Sequence, residues 1–132
     1  MTLPPDECVN SFLSEAQRLG VEVRWKSTNM QHLDAAYHAL PGTPGRIVLH
    51  DVKPRPNLEK QCALLTHEMV HVLQHWKGQL QSIPPLGWPT ENAPPGRELS
   101  QQEREAYSAQ NDPKKVLNAI KTLQPYLYHV LK

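Results

Sequence analysis

Apolar residues recur at helical spacing over residues 6–19, where Val9, Phe12, Leu13, Ala16 and Leu19 mark one face. The pattern predicts an amphipathic helix, with Gly20 supplying the left-handed residue that ends it. The period then drops to two: Val21, Val23 and Trp25 alternate with Glu22, Arg24 and Lys26, as in a half-buried strand. A second strand is expected around Ala36 to Leu40. The turn signal Pro41-Gly42-Thr43-Pro44-Gly45 leads into a third, Arg46 to Asp51, expected to pair with the second.

After Pro54-Arg55-Pro56 the helical period returns. Leu58, Cys62, Leu65, Met69, Val72 and Trp76 form one stripe on a helix expected from the N-cap Asn57 to about Trp76, closed by Gly78. Residues 79–97 hold five of the 13 prolines, which predicts a long loop. Ser100-Gln101-Gln102-Glu103 matches a capping box opening a third helix that stops before Asn111. Asp112-Pro113 opens a fourth, with Val116, Leu117, Ile120 and Leu123 on its buried face. The expectation is a single α+β domain over 1–132, with a small, mostly antiparallel sheet of about three strands packed on the central helix.

Composition narrows the functional classes more than it selects one. With 14 basic and 13 acidic side chains, the net charge of +1 supplies no field to attract nucleic acid or an anionic membrane. No apolar run approaches the ~20 residues needed to span a bilayer. The start of the chain lacks the basic and apolar regions of a secretory signal, so a cytoplasmic protein, monomeric by default, is expected. Cys8 and Cys62 fall on apolar helix faces and read as buried free thiols, a Cys8–Cys62 disulfide being the lesser alternative.

The chemistry concentrates in Thr66-His67-Glu68-Met69-Val70-His71-Val72-Leu73-Gln74-His75. His67 and His71 are one helical turn apart, so two imidazole nitrogens can converge on one ion. Both lie about 200° round the helix from Leu65 and Met69, facing away from the apolar stripe. Glu68 is turned aside by about 100°, able to reach a water at the ion without joining its ligands, the place for a general base. His75 stands ~12 Å along the helix from His67 and is excluded as a third ligand; a surface or supporting role is expected for it. The third ligand is then sought in a carboxylate on a later helix. Glu105 is preferred, because Glu103 has a competing use as capping-box partner and Glu98 precedes the helix.

His67-Glu68-Met69-Val70-His71-Val72-Leu73-Gln74, followed by Glu105-Ala106-Tyr107-Ser108-Ala109, resembles the gluzincin type of zinc metallopeptidase. Among these it is similar to the minigluzincins and to peptidase-like domains of bacterial toxin proteins, where H-E-x-x-H-V-x-Q is typical. The resemblance covers residues 36–111. It implies a minimal zincin-like fold, Zn2+ held by His67, His71 and Glu105, and hydrolysis of a peptide or protein substrate with Glu68 as base. It further implies a strand rim at Arg46 to Asp51, including Val48, beside which the substrate lies as an added strand. Trp88, Tyr107 and His129 are candidate substrate contacts, and Tyr107, Tyr126, Tyr128 and His129 are candidates to stabilise an oxyanion. A zincin-fold regulatory or interaction module with little turnover is the alternative.

Overall fold

A computed structural model describes residues 3–28, 34–52, 57–95 and 98–125. Its elements in chain order are α1 (Pro5–Leu19), β1 (Glu22–Thr28), β2 (Asp34–His38), β3 (Arg46–Val52), α2 (Leu58–Lys77), α3 (Gln101–Ala109) and α4 (Pro113–Lys121). The chain is thus α+β.

The expected helix ends form, with one change of mechanism. Gly20 adopts φ of 80°, and the N–H groups of Gly20 and Val21 close the last turn on the carbonyls of Gln17 and Ala16. The Asn57 side chain accepts from the Lys60 N–H at 3.1 Å and caps α2. Gly78 ends α2 without a left-handed conformation, at φ −82°. Its lack of a side chain matters because a Cβ there would collide with the Ser82 carbonyl oxygen. The positive φ values fall instead on Gln79 and Leu80.

The sheet is mixed, with strand order β1-β3-β2. β2 pairs antiparallel with β3, as expected, in a register running from Asp34↔His50 to His38↔Arg46. β1 pairs parallel with β3 from Glu22↔Arg46 to Thr28↔Val52, which corrects the expectation of a mostly antiparallel sheet. β3 is therefore the interior strand, and the expected substrate rim at Arg46 to Asp51 is corrected with it. The physical reason is visible in Ile47-Val48-Leu49, buried at 0%, 7% and 1% exposure. Three consecutive apolar residues covered on both faces suit the middle of a sheet. β2 is the edge that borders the cleft described below.

α2 is the hub of the molecule. Leu65, Met69 and Val72 meet Phe12, Ala16 and Leu19 of α1, Ile47 and Leu49 of β3, and Val116, Leu117 and Ile120 of α4 in one core. Arg18 of α1 donates to the carbonyls of Ile120 and Leu123, tying α1 to the end of α4. α3 and β2 cover the opposite side of α2, so every residue from Leu65 to His75 is buried. The histidine-bearing face is off the apolar stripe, yet it is not a solvated face.

Where α1 lies against α2, Cys8 and Cys62 come to a Cα separation of 5.7 Å and are joined as a disulfide. This corrects the expectation of free thiols: two apolar helix faces that pack together bring their cysteines together. Closing a sequence separation of 54 residues, the link contributes about 4 kcal/mol in the chain-entropy account. No described helix is long and apolar enough to cross a membrane.

Candidate metal centre

His67 and His71 project from α2 into a cleft of about 420 Å³ whose other walls are β2, through Ala35, Ala36 and Tyr37, and α3, through Glu103, Tyr107 and Gln110. The Nε2 atoms of both histidines point to one carboxylate oxygen, Glu103 Oε1, at 3.3 Å from His67 and 2.5 Å from His71. One ligand atom from each of His67, His71 and Glu103 lies within 4.8 Å of the others, and the group could hold a metal ion. Two imidazoles and a carboxylate are a donor set suited to a borderline divalent ion.

Each histidine is oriented from behind by a glutamine. His67 Nδ1 meets Gln110 Oε1 at 2.9 Å, and His71 Nδ1 meets Gln74 Oε1 at 2.8 Å. A ring that donates from Nδ1 keeps the Nε2 lone pair for the ion. Both Nε2 atoms face the cleft, where a bound ion would replace the hydrogen bonds they make to Glu103. The His67 ring also packs edge-on against Tyr107, with centroids 4.5 Å apart.

Electrostatics in this form of the site follow the pairing. Burial opposes the His71 cation, but acceptance by Glu103 and Gln74 and the charges of Glu68 and Glu103 outweigh it, raising His71 above the ordinary histidine value. Hydrogen bonds from His67 and then His71 hold Glu103 well below the usual carboxylate range. Glu68 lines the same cleft at 5% exposure, beside the first histidine as the sequence spacing requires.

Glu103, not Glu105, is the carboxylate brought to the histidines, and this corrects the preferred ligand set. The capping-box reading of Glu103 is half right. Its N–H donates to Ser100 Oγ at 3.2 Å, while its carboxylate goes to His67 and His71 rather than back to the Ser100 N–H. Glu105 is fully buried on another face of α3. Its Oε1 accepts from Leu86 N–H at 2.8 Å and Gln74 Nε2 at 3.0 Å, and its Oε2 from Gly87 and Trp88 N–H at 2.6 and 3.0 Å. Burial favours its neutral form, but these donors outweigh it and keep its proton affinity low.

The other candidates divide. Tyr107 lines the cleft. Val48, expected as a substrate contact, is buried in the interior strand and is not among the residues that line the cleft. Trp88 pins its loop, its N–H on Glu105 and the Lys115 Nζ 4.5 Å over its ring, and is not part of the cleft wall. Glu98 stands before α3 and is exposed. His129, Tyr126 and Tyr128 lie outside the described residues. His75 is not at the surface: at 1% exposure its ring nitrogens meet the carbonyls of Ser82 and Thr43, and it joins the end of α2 to the turn before β3.

Two contributors, Gln74 and Gln110, were given no role by the sequence reading, though helix spacing carries the signal. Gln74 is three residues beyond His71. Glu103, Tyr107 and Gln110 follow each other at intervals of four and three, one continuous face of α3 and its cap. Ala106 and Ala109 occupy the core face. No family model, curated protein or solved structure matches the chain.

Proposed function

We propose that this chain is a small zinc-dependent peptidase with a minimal zincin-like fold, hydrolysing peptide bonds in a peptide or protein substrate. The observation that carries the reading is Glu68: a buried carboxylate lines the cleft beside a three-ligand group whose donors suit zinc. A metal held only for structure gains nothing from such a neighbour. His67, His71 and Glu103 would hold the ion, which when bound supplies Lewis-acid activation of water and of the scissile carbonyl.

The residues of the chain do the rest. Glu68 takes the proton of the attacking water and delivers it to the departing amine, a transfer worth roughly 10²- to 10⁴-fold in rate. Gln110 and Gln74 keep the histidine rings aimed. β2, the edge strand that walls the cleft, supplies the side along which an extended peptide lies. Tyr107, whose ring packs on that of His67, is the phenol of the cleft placed beside the candidate ligands. Tyr37 is committed elsewhere: its hydroxyl donates to the Pro44 carbonyl at 2.6 Å, and burial pushes its ionisation far up. The Cys8–Cys62 disulfide favours oxidising surroundings over the cytoplasm.

The test is cleavage of a peptide library by zinc-loaded wild type beside Glu68→Ala. Cleavage by the wild type alone, with zinc bound near one equivalent by both, supports the proposal. Zinc bound by both with no cleavage by either would make the chain a zinc-binding module of the same fold. Failure to bind zinc would sink both readings.

A further inference from the structure

Glu105 is a fully buried carboxylate that the proposed reaction does not use, and no cation accompanies it among its hydrogen-bond partners. We infer that Glu105 is a positioning residue for the metal centre: through the Gln74 side chain it fixes the tautomer of His71 and strengthens the nitrogen that faces the cleft. The inference rests on the metal-site reading above.

The orientation of each group follows from the one behind it. Three backbone N–H groups, of Leu86, Gly87 and Trp88, can only donate, so both oxygens facing them must accept. A carboxylate meets that demand; a neutral amide at this position would turn its own NH₂ toward a donor. The remaining approach to Oε1 is filled by Gln74 Nε2. That nitrogen has a second acceptor, the Gln102 carbonyl at 3.1 Å. With two acceptors on one side, the Gln74 amide has a single satisfied orientation, its oxygen toward His71 Nδ1 at 2.8 Å. His71 must then donate from Nδ1, while its Nε2 turns to the cleft, where in this form of the site it meets Glu103 Oε1 at 2.5 Å and where a bound ion would take the place of the proton between them.

The arrangement is a carboxylate–histidine–metal relay with an amide inserted between the first two members. An anion accepting from the Gln74 Nε2–H pushes electron density toward the amide oxygen and increases its acceptor strength, which in turn makes the imidazole a better donor to an ion. His67 is held differently, by Gln110 at the end of α3, with no carboxylate bonded to that glutamine among the described residues. The relay also explains why the loop after α2 matters to the site: residues 86–88 are the cradle that keeps Glu105 in place.

The experiment uses the full chain in three variants. Gln74→Met removes the link, Glu105→Gln removes the charge, and Val116→Ala opens a cavity in the α4 core away from the site. Zinc affinity is measured by chelator competition, and the His71 ring nitrogens of the metal-free protein are read by ¹⁵N NMR near pH 8. In the wild type His71 Nδ1 is expected to carry a proton, whether or not Nε2 carries one toward Glu103. Gln74→Met should weaken zinc by roughly 10- to 100-fold and leave His71 Nδ1 only partly protonated; Glu105→Gln should shift both in the same direction by a smaller factor. Val116→Ala, though less stable, should move neither. Wild-type zinc affinity in the first two variants, or an unprotonated His71 Nδ1 in the wild type, overturns the relay. If the wild type takes up no zinc, the metal reading fails by itself, and the NMR tautomers still decide whether Glu105 acts on His71.

Discussion

α3 carries two glutamates two residues apart that live in opposite surroundings. The Glu103 side chain, 38% exposed, faces two imidazoles across an open cleft. Glu105 is sealed among backbone N–H groups and one amide. Two residues rotate a helix by about 200°, enough to send neighbours to different faces. The difference teaches how to tell a candidate metal ligand from a support. Imidazoles can exchange a carboxylate for a metal ion and share it with them, whereas N–H donors can only hold an anion in place.

Glu105→Ala should have the largest effect on the fold. It leaves three loop N–H groups without their acceptor and the Gln74 amide with only the Gln102 carbonyl, at about 1–3 kcal/mol per unsatisfied group before water re-enters. A net loss of ~3–5 kcal/mol in urea unfolding is expected. Glu103→Ala, by contrast, should cost the metal-free protein at most ~1 kcal/mol because its side chain is part-exposed, yet weaken zinc by more than about 100-fold, beyond what loss of a supporting residue produces. If Glu105→Ala abolishes zinc while leaving stability intact, the two glutamates have been assigned the wrong way round.

That assignment was only half legible in the chain. Helical and strand periods located the elements of the described residues, and H-E-x-x-H singled out His67, Glu68 and His71, which line one cleft. The choice between Glu103 and Glu105 went astray because a capping box explained Glu103 completely as a local feature. Local explanations compete poorly with two buried histidines seeking a partner, and the period of Glu103, Tyr107 and Gln110 was the better guide. The parallel β1–β3 pair was not legible, since alternation tells which face of a strand is buried and not which neighbour it has. The disulfide was hidden for a similar reason: a cysteine on an apolar face looks the same whether its neighbour is a methyl group or another sulfur.

pH sharpens the contrast at smaller amplitude. In metal-free protein the His71 value is raised above 6.5, so its contribution to stability is complete below pH 6.5 and is lost as pH rises through the folded value. The Glu103 value is depressed below 4.5, so its contribution is present above pH 4.5 and lost as pH falls. Their pairing thus favours a stability plateau between about pH 4.5 and 6.5, declining above it by at most about 1.4 kcal/mol per pH unit for one proton. Glu105, also depressed, loses its contribution only on acidification and should add no slope between pH 5 and 8. Zinc affinity should rise with pH across the upper window, because the ion displaces the His71 proton. Unfolding of wild type and Glu103→Ala across pH 5–8 checks the signs: the decline should vanish in the variant, and its persistence would place the titrating group elsewhere.

The smallest effect asks what holds the loop against α3. Two anchors are available at residue 88, the backbone N–H on Glu105 and the indole ring under the Lys115 ammonium. An ammonium over an accessible ring contributes about 0.5–1 kcal/mol, while each charge-assisted backbone bond contributes ~1.5–3 kcal/mol. Lys115→Ala should therefore cost no more than about 1 kcal/mol in urea unfolding and leave amide exchange at Leu86, Gly87 and Trp88 close to the wild-type rate. Fast exchange at all three in Lys115→Ala would mean that the loop is fastened by its tryptophan from outside. Slow exchange there, with fast exchange in Glu105→Gln, would mean that it is fastened from within by the same carboxylate that lies behind His71, making loop and metal ligand parts of one rigid unit.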